Sequence, residues 1–363
     1  MNSLNFKVPA NFTDSSYLDR LAELNRHHEI HGTKIVETYG SLPQSYIGNA
    51  RTSAHLPAIS INDVKQYVIK SKGVGIDFNY VINSSWSNGL EFTSSGKEKI
   101  LKELNMLQEL GIIYITVCSP GIFQIVKKYF PDFKICLSTN LYISSLHELQ
   151  RWEIEGVDTV IIDRHVNRDF DLLRTLCKSP IRLELLINSM CNLNCSLRYY
   201  HNLVNCAQSN VMSERWNTYF PQSLCTKYNL SNPLETLCSA WIRPEDLDFY
   251  NKEFGINHFK IDGRSLEIDH LIEIVNSYLN KKHEGNFFDL FDFFNTRRKT
   301  GVSFFLDNRK LDGFLQQTMY TPCRLCGGHN SYCQSLANQI EVLNKSTAKV
   351  YQKMLYQTIR NEF

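Results

Sequence analysis

Strand-like runs and amphipathic helical stretches alternate along most of this chain, and that alternation restricts the fold more than any other feature. The strand patterns are Phe6–Val8, Lys34–Tyr39, Gly75–Asn83, Tyr114–Cys118, Lys134–Ser138, Thr159–Asp163, Arg182–Asn188 and His258–Ile261. Each is short and rich in branched or aromatic residues. Between them, Lys97–Leu110 puts Ile100, Leu101, Leu104, Leu107 and Leu110 on one helical face, and Leu146–Ile154 and Asp169–Leu176 keep the same period. Gly111, Gly156 and Gly255 stand where a helix should stop before the next strand. Eight strands separated by helices are the pattern of a closed parallel barrel. An open doubly wound sheet gives similar local signals, but it often carries a Gly-rich phosphate turn, and neither GxGxxG nor GxxxxGK[ST] occurs. The expected fold class is therefore α/β, a TIM-like (β/α)8 barrel.

Two regions break the rhythm. Residues 189–257, after strand seven, form an insertion rich in Cys, Asn, Ser and aromatic residues. Asp269–Leu279 reads as a further helix, and the tail Pro322–Phe363 opens with a Cys-rich knot. The expected organisation is a barrel over residues 1–280 and a C-terminal extension over 281–363. A hydrophobic content of 43% is enough for a large core. The net charge of +2 gives no general pull toward nucleic acid or a membrane surface, so nucleic acid is not an expected partner. The Arg297-Arg-Lys299 run is too short to reverse that. There is no basic leader before an apolar run and no apolar window of about 20 residues, so neither export nor a membrane span is expected. Eleven cysteines without an export signal point to thiols or metal ligands in a cytoplasmic protein.

The cysteines concentrate the chemistry. Cys191 and Cys195 come directly off strand seven, and Cys206, Cys225 and Cys238 follow in the same insertion. Thiolates bind soft metals, and a four-residue spacing at a rigid strand end can put both sulfurs on one cluster or one zinc. Cys191-Asn-Leu-Asn-Cys195 also opens like the CxxxCxxC motif of radical-SAM enzymes. Its third position is Arg198, and the run follows the seventh strand rather than the first, which argues against that chemistry. A second candidate metal site is the knot Cys323, Cys326, His329 and Cys333, for zinc or a second iron–sulfur centre; three cysteines do not complete it without His329 or a cysteine from elsewhere. Cys118, Cys136 and Cys177 read as core.

Barrel chemistry collects at the C-terminal ends of strands. Arg198, His201, Lys260 and Arg264 fall at or after the ends of strands seven and eight, and Arg164, His165 and Arg168 follow strand six. Together they would make a local cationic pocket for a small dicarboxylate or a phosphate. The competing reading pairs them with Asp163, Asp262 or Glu267. Glu37, Tyr39, Asn79 and Asn83 are polar residues on strands two and three that otherwise read as core, serving a hydrogen-bond network or a substrate. No HExxH or GxSxG peptidase motif occurs, although Cys191 with His201 would be a conceivable nucleophile and base.

Several stretches taken together resemble peptidase family U32, the collagenase-like group. They are Glu37-Thr-Tyr-Gly-Ser41, Gly75-Ile-Asp-Phe-Asn-Tyr80 with Asn83, the Cys191–His201 run, Trp241-Ile-Arg-Pro-Glu-Asp-Leu247, and Phe259-Lys260-Ile-Asp-Gly-Arg264. The last is similar to the family's Lys-Ile-Glu-Gly-Arg segment, with Asp262 in place of Glu. The resemblance spans roughly residues 5–270. It implies a barrel with four cysteines holding a [4Fe–4S] cluster, here Cys191, Cys195, Cys225 and Cys238, with Cys206 an alternative to either of the last two. It also implies oxygen-independent hydroxylation of a quinone precursor, an RNA base or a modified peptide, with prephenate as an oxygen donor in some members. On this reading Arg198, His201 and Arg264 are catalytic, and Glu37, Tyr39, Asn79, Asn83, Arg164, His165 and Lys260 bind the anionic partner. A peptidase or hydrolase, and a metal-stabilised subunit that serves a partner protein, are the rival expectations.

Overall fold

The computed structural model describes residues 3–213, 220–291, 303–321, 323–326, 330–343 and 357. His329 and the Arg297–Lys299 run lie outside the described residues, as does much of the tail from Pro322.

Eight parallel strands close into a barrel in sequence order: β1 (Leu4–Pro9), β2 (Thr33–Gly40), β3 (Asp77–Ile82), β4 (Tyr114–Val117), β5 (Lys134–Leu137), β6 (Thr159–Ile161), β7 (Arg182–Leu186) and β8 (His258–Lys260). Each expected strand has its counterpart, most of them trimmed by a residue or two at the ends. The helices α1 (Tyr17–His28), α2 (Ile61–Val74), α3 (Ser94–Glu109), α4 (Pro120–Tyr129), α5 (Leu146–Ile154) and α6 (Phe170–Leu176) connect the first seven strands. The insertion folds as α7 (Arg198–Ser209), α8 (Phe220–Ser231), α9 (Leu234–Cys238) and α10 (Leu247–Phe254); α11 (Ile268–Leu279) follows β8. Gly111, Gly156 and Gly255 adopt left-handed φ values of 73°, 73° and 70°, and end α3, α5 and α10 where an L side chain would be strained. No described helix is long and apolar enough to cross a membrane.

Alternation along the strands divides two kinds of interior. Phe6 and Val8 on β1, Tyr80 and Ile82 on β3 and Ile115 and Val117 on β4 belong to one large buried cluster with helix residues such as Leu21, Val64, Ile100 and Leu104. The apolar group formed by Cys136, Ile161 and Leu186 is separate and small. Most of the rest of that inner layer is polar. Lys7 Nζ lies 3.1 Å from Glu37 and 2.7 Å from Glu184, all three buried. Thr116 donates to Asn79 at 2.7 Å across β3 and β4. Lys260 Nζ sits 3.7 Å from the centre of the Tyr39 ring, whose hydroxyl donates to the Ile261 carbonyl. Burial pushes the Lys260 amine down to about 8, although Cys136 and Glu184 oppose the shift. Burial also pushes the Glu37 carboxyl up. At Glu184 the attraction and hydrogen bond of Lys7 overcome burial and hold that carboxyl low.

Cys118 and Cys136 are buried, in keeping with core positions, while Cys177 is half-buried against the helix-side core. Beyond α11, Phe287, Phe291, Phe304 and Phe314 join the same large cluster, with Trp241 packed against Phe287 and Phe314.

Two consequences are measurable. Lys7→Met leaves two carboxylates in the lumen without their cation and should lower stability by about 3–5 kcal/mol in urea denaturation; a loss under about 1 kcal/mol would mean the triad is not held as described. His258 is held down to about 4 by burial, against the pull of Glu184. A folded value below the unfolded one near 6.5 means that the unfolded state binds more protons between those limits. Stability should therefore fall as pH drops from about 6.5 toward 4, and His258→Gln should remove on the order of 1–2 kcal/mol of that dependence. Parallel pH–stability curves for the two proteins would refute it.

Candidate functional site

The exits of β7 and β8 are locked to each other. Ile187 donates to the Lys260 carbonyl, and its own carbonyl accepts from Ile242 at 2.7 Å. Asn188 then bridges the strands: its amide donates to Asp262 O and Leu290 O, and its side-chain oxygen accepts from the Asp262 N–H at 2.6 Å. The cysteine loop starts from this clamp.

Within Cys191–Cys195, Asn194 takes a left-handed φ of 52°. Asn tolerates that conformation better than most residues. The bend sets Cys195 just before α7, where the Arg198 N–H donates to the Cys195 carbonyl at 3.2 Å and the nearby Leu197 and Arg198 amides favour the thiolate. The Cys225 thiol also hydrogen-bonds to it. The Cys225 contact first, and then the α7 amides, bring Cys195 down to about 6, which favours its thiolate. Cys225 is raised correspondingly, because it keeps the shared proton. Cys191 stands close enough to interact with both; burial pushes its thiol up and Arg164 partly offsets this.

Around these thiols lies an ordered ionic network. Arg198 donates to Asp163 at 2.7 Å and contacts His165 Nδ1 at 2.8 Å, while its guanidinium lies 4.5 Å and 4.9 Å from the ring centres of Tyr142 and Tyr199. Arg164 donates to Asn140 at 3.0 Å. Burial pushes the His165 imidazole down to about 4 against the attraction of Asp163, so it is neutral and accepts from Arg198. His201 is half-buried on α7.

A second group of polar residues sits across the rim, at β8 and β2. Arg51 forms a short ion pair with Asp262, and despite burial this holds the Asp262 carboxyl down to about 2. Arg264 reaches Ser41 at 3.4 Å and Asn49 at 3.5 Å and lines a cavity of about 200 Å³ with Asn11, Phe12, Thr13 and Ser41. Asn83 accepts from Ala50 N–H and donates to Ser138, which ties the same loop to β3 and β5.

The family model described as peptidase family U32 matches residues 46–286. The chain belongs to peptidase family U32. An uncharacterized protease of Methanocaldococcus jannaschii is 27% identical over 306 residues, covering 84% of this chain and 88% of that protein. The tRNA hydroxylation protein P1 of Bacillus subtilis is 26% identical over 193 residues, which are 50% of this chain and 44% of that protein. Among solved structures, a U32 peptidase aligns with a TM-score of 0.52 at 12% identity, over 72% of this chain and 94% of its own, and shares the fold.

Within this U32 barrel, the structure groups the expected residues differently from their order in sequence. Cys191, Cys195 and Cys225 gather together. Cys238 sits beside Cys323. Cys206 is buried against Ser85 and Asn202. The cations foreseen as one pocket are divided: Arg198 serves Asp163, Arg168 caps the carbonyls of Leu237 and Ser239, and Arg264 lies near β2. Asp262 pairs with Arg51. Glu37, Tyr39, Asn79 and Lys260 occupy the lumen, below the rim residues. Sequence reading missed Lys7, Glu184, Arg51, Asn188 and Tyr142. A charge in the middle of a strand was the available signal for Lys7 and Glu184; nothing local marked the others.

The [4Fe–4S] cluster that the family resemblance implies can be tested against this donor set. Three sulfurs at one strand end, one of them favoured as thiolate, beside Arg164 and Arg198, suit a soft-metal centre in chemistry and charge. Among the described residues no three His, Cys, Asp or Glu side chains stand as ligands to a single ion. Cys195 and Cys225 share a proton instead, and metal binding releases such protons. The bend at Asn194 is testable: Asn194→Val should cost about 1–2 kcal/mol in urea denaturation and Asn194→Gly a few tenths, whereas equal effects would mean that no left-handed turn is needed.

Proposed function

We propose that this U32 protein is an iron–sulfur enzyme that hydroxylates an organic substrate over the C-terminal rim of the barrel without molecular oxygen. The observation that carries this reading is the gathering of Cys191, Cys195 and Cys225 at the β7 exit, next to the Asp163–Arg198–His165 network. These three cysteines would hold the cluster, and a ligand other than cysteine would complete it. When bound, the cluster supplies electron transfer and Lewis acidity. The chain's own residues bind and orient. Arg264, with Ser41 and Asn49, lines the cavity of about 200 Å³ and suits one carboxylate of a small anionic donor such as prephenate. Arg198, fixed by Asp163, and Arg164 offer charge on the thiol side, and His201 rides on the same helix as Arg198. Lys260 Nζ, lowered by burial, can release a proton near neutral pH.

The hydroxylation assignment draws support from the Bacillus subtilis relative, whose name is that of a tRNA hydroxylation protein. An RNA base, a quinone precursor and a modified peptide remain the substrate classes, and the near-neutral charge argues against a long nucleic-acid contact. All eleven cysteines are free thiols, which suits a reducing, cytoplasmic setting. A hydrolase is the second reading, because the low-pKa Cys195 is also the form a thiol nucleophile takes.

Anaerobic purification followed by iron, acid-labile sulfide and zinc analysis tests the proposal. We expect about four irons and four sulfides per chain, lost in Cys191→Ala and Cys195→Ala. Iron-free protein that still cleaves peptides would transfer Cys195 to the hydrolase reading and end the redox one.

A further inference from the structure

Cys238 is the last residue of α9, and α9 packs against the helix Ser331–Ala337 of the C-terminal extension. That packing brings buried Cys333 toward Cys238. The single helical turn Cys323–Cys326 lies over the same spot, with a hydrogen bond between the Cys323 and Cys238 sulfurs and with Cys326 near Cys333. Cys238 and Cys323 line one small cavity with His165, Arg168 and Leu193. Its volume is about 20 Å³, room for one water-sized occupant.

We propose that Cys238, Cys323, Cys326 and Cys333 form a second metal centre, a closed four-thiolate site for a single zinc ion, separate from the Cys191 group. Four sulfurs with no position left for substrate are the donor set of a structural zinc, and the two-residue spacing of Cys323 and Cys326 lets one turn supply two of them. The size of the cavity favours an ion over a cluster. Arg168 supplies the countercharge: it donates to the carbonyls of Leu237 and Ser239 on either side of Cys238, and its guanidinium lies 4.4 Å from the centre of the Trp241 ring. Four thiolates and Zn²⁺ carry a net charge of −2, which a fixed guanidinium partly offsets. As they stand, no three of these sulfurs are placed as ligands to a single ion, and zinc would draw the Cys323–Cys326 turn onto α9 to bring them together. The centre would staple the insertion to the extension across about 85 residues of intervening chain, a closure that chain entropy otherwise opposes. Leu193 belongs to the Cys191–Cys195 loop, so the staple would also support the floor of the other thiol site.

The test is metal analysis of the full-length chain and of Cys238→Ser, Cys323→Ser, Cys326→Ser and Cys177→Ser. About one zinc per chain is expected, lost in the first three variants and kept in Cys177→Ser, with iron content unchanged throughout. Zinc-free wild-type protein after growth with zinc overturns the proposal. So does iron lost from Cys238→Ser in step with Cys191→Ala, which would put Cys238 on the iron site. Should the variants fail to fold, cobalt replacing zinc in the wild type still decides: intense visible bands of tetrahedral cobalt thiolate support the site, and a weak octahedral spectrum refutes it. The zinc outcomes do not depend on whether the Cys191 group holds iron.

Discussion

The ion triad of Lys7 with Glu37 and Glu184 is the interaction on which the barrel's interior depends. A barrel of this size is usually filled by branched apolar side chains. Here one ammonium on β1 holds carboxylates from β2 and β7, with Lys260 on β8 in the same layer. An ion pair in such a place adds little net stability over an apolar equivalent, because desolvation consumes most of the attraction. Its effect is on specificity. The charges can all be neutralised only if β1, β2, β7 and β8 meet in one register, so the triad selects the closed barrel against open or slipped pairings.

That closure is what makes the rim a site. β7 and β8 end side by side, and Asn188 clamps them through Asp262. From this fixed base the cysteine loop leaves on one side, and the Asp262–Gly263–Arg264 turn leaves on the other. Gly263 has φ of 141°, and a Cβ there would come within 2.6 Å of Leu266, so the turn needs glycine to deliver Arg264 to the cavity. The Trp241–Leu247 stretch, one of those by which the family was recognised, has a structural role here. Ile242 pairs with Ile187, Trp241 donates to Thr236 O, and buried Arg243 binds Asp246, Asp312 and the Asn308 carbonyl.

Period and chain order made the fold legible in the sequence, because each strand and helix announces itself locally. The eight strands and the glycine stops needed no information from elsewhere in the chain. The site was legible only in part. Cys191 and Cys195 are four residues apart, so their proximity was readable. The position of Cys238 is decided by α9 packing on a helix nearly a hundred residues later, and no local pattern carries that. The same applies to Asp262, whose partner Arg51 comes from the loop after β2. Long-range pairings of single side chains leave no period behind them.

The separation of the cysteines has a physical logic that the linear order hides. A thiol centre used for redox chemistry must exchange electrons and ligands with a substrate, so it belongs at the mouth, on donors held by one rigid strand end and one helix N-terminus; Cys191 and Cys195 meet that requirement. A centre that only holds chain together is better built on donors from segments far apart in sequence, because the entropy it removes from the unfolded chain grows with the loop it closes. The centre proposed for Cys238 with the C-terminal cysteines would meet that second requirement. Cys238 lies between the two groups in sequence, and Arg168 settles its allegiance by anchoring the carbonyls on both sides of it over Trp241, which turns its sulfur toward the extension.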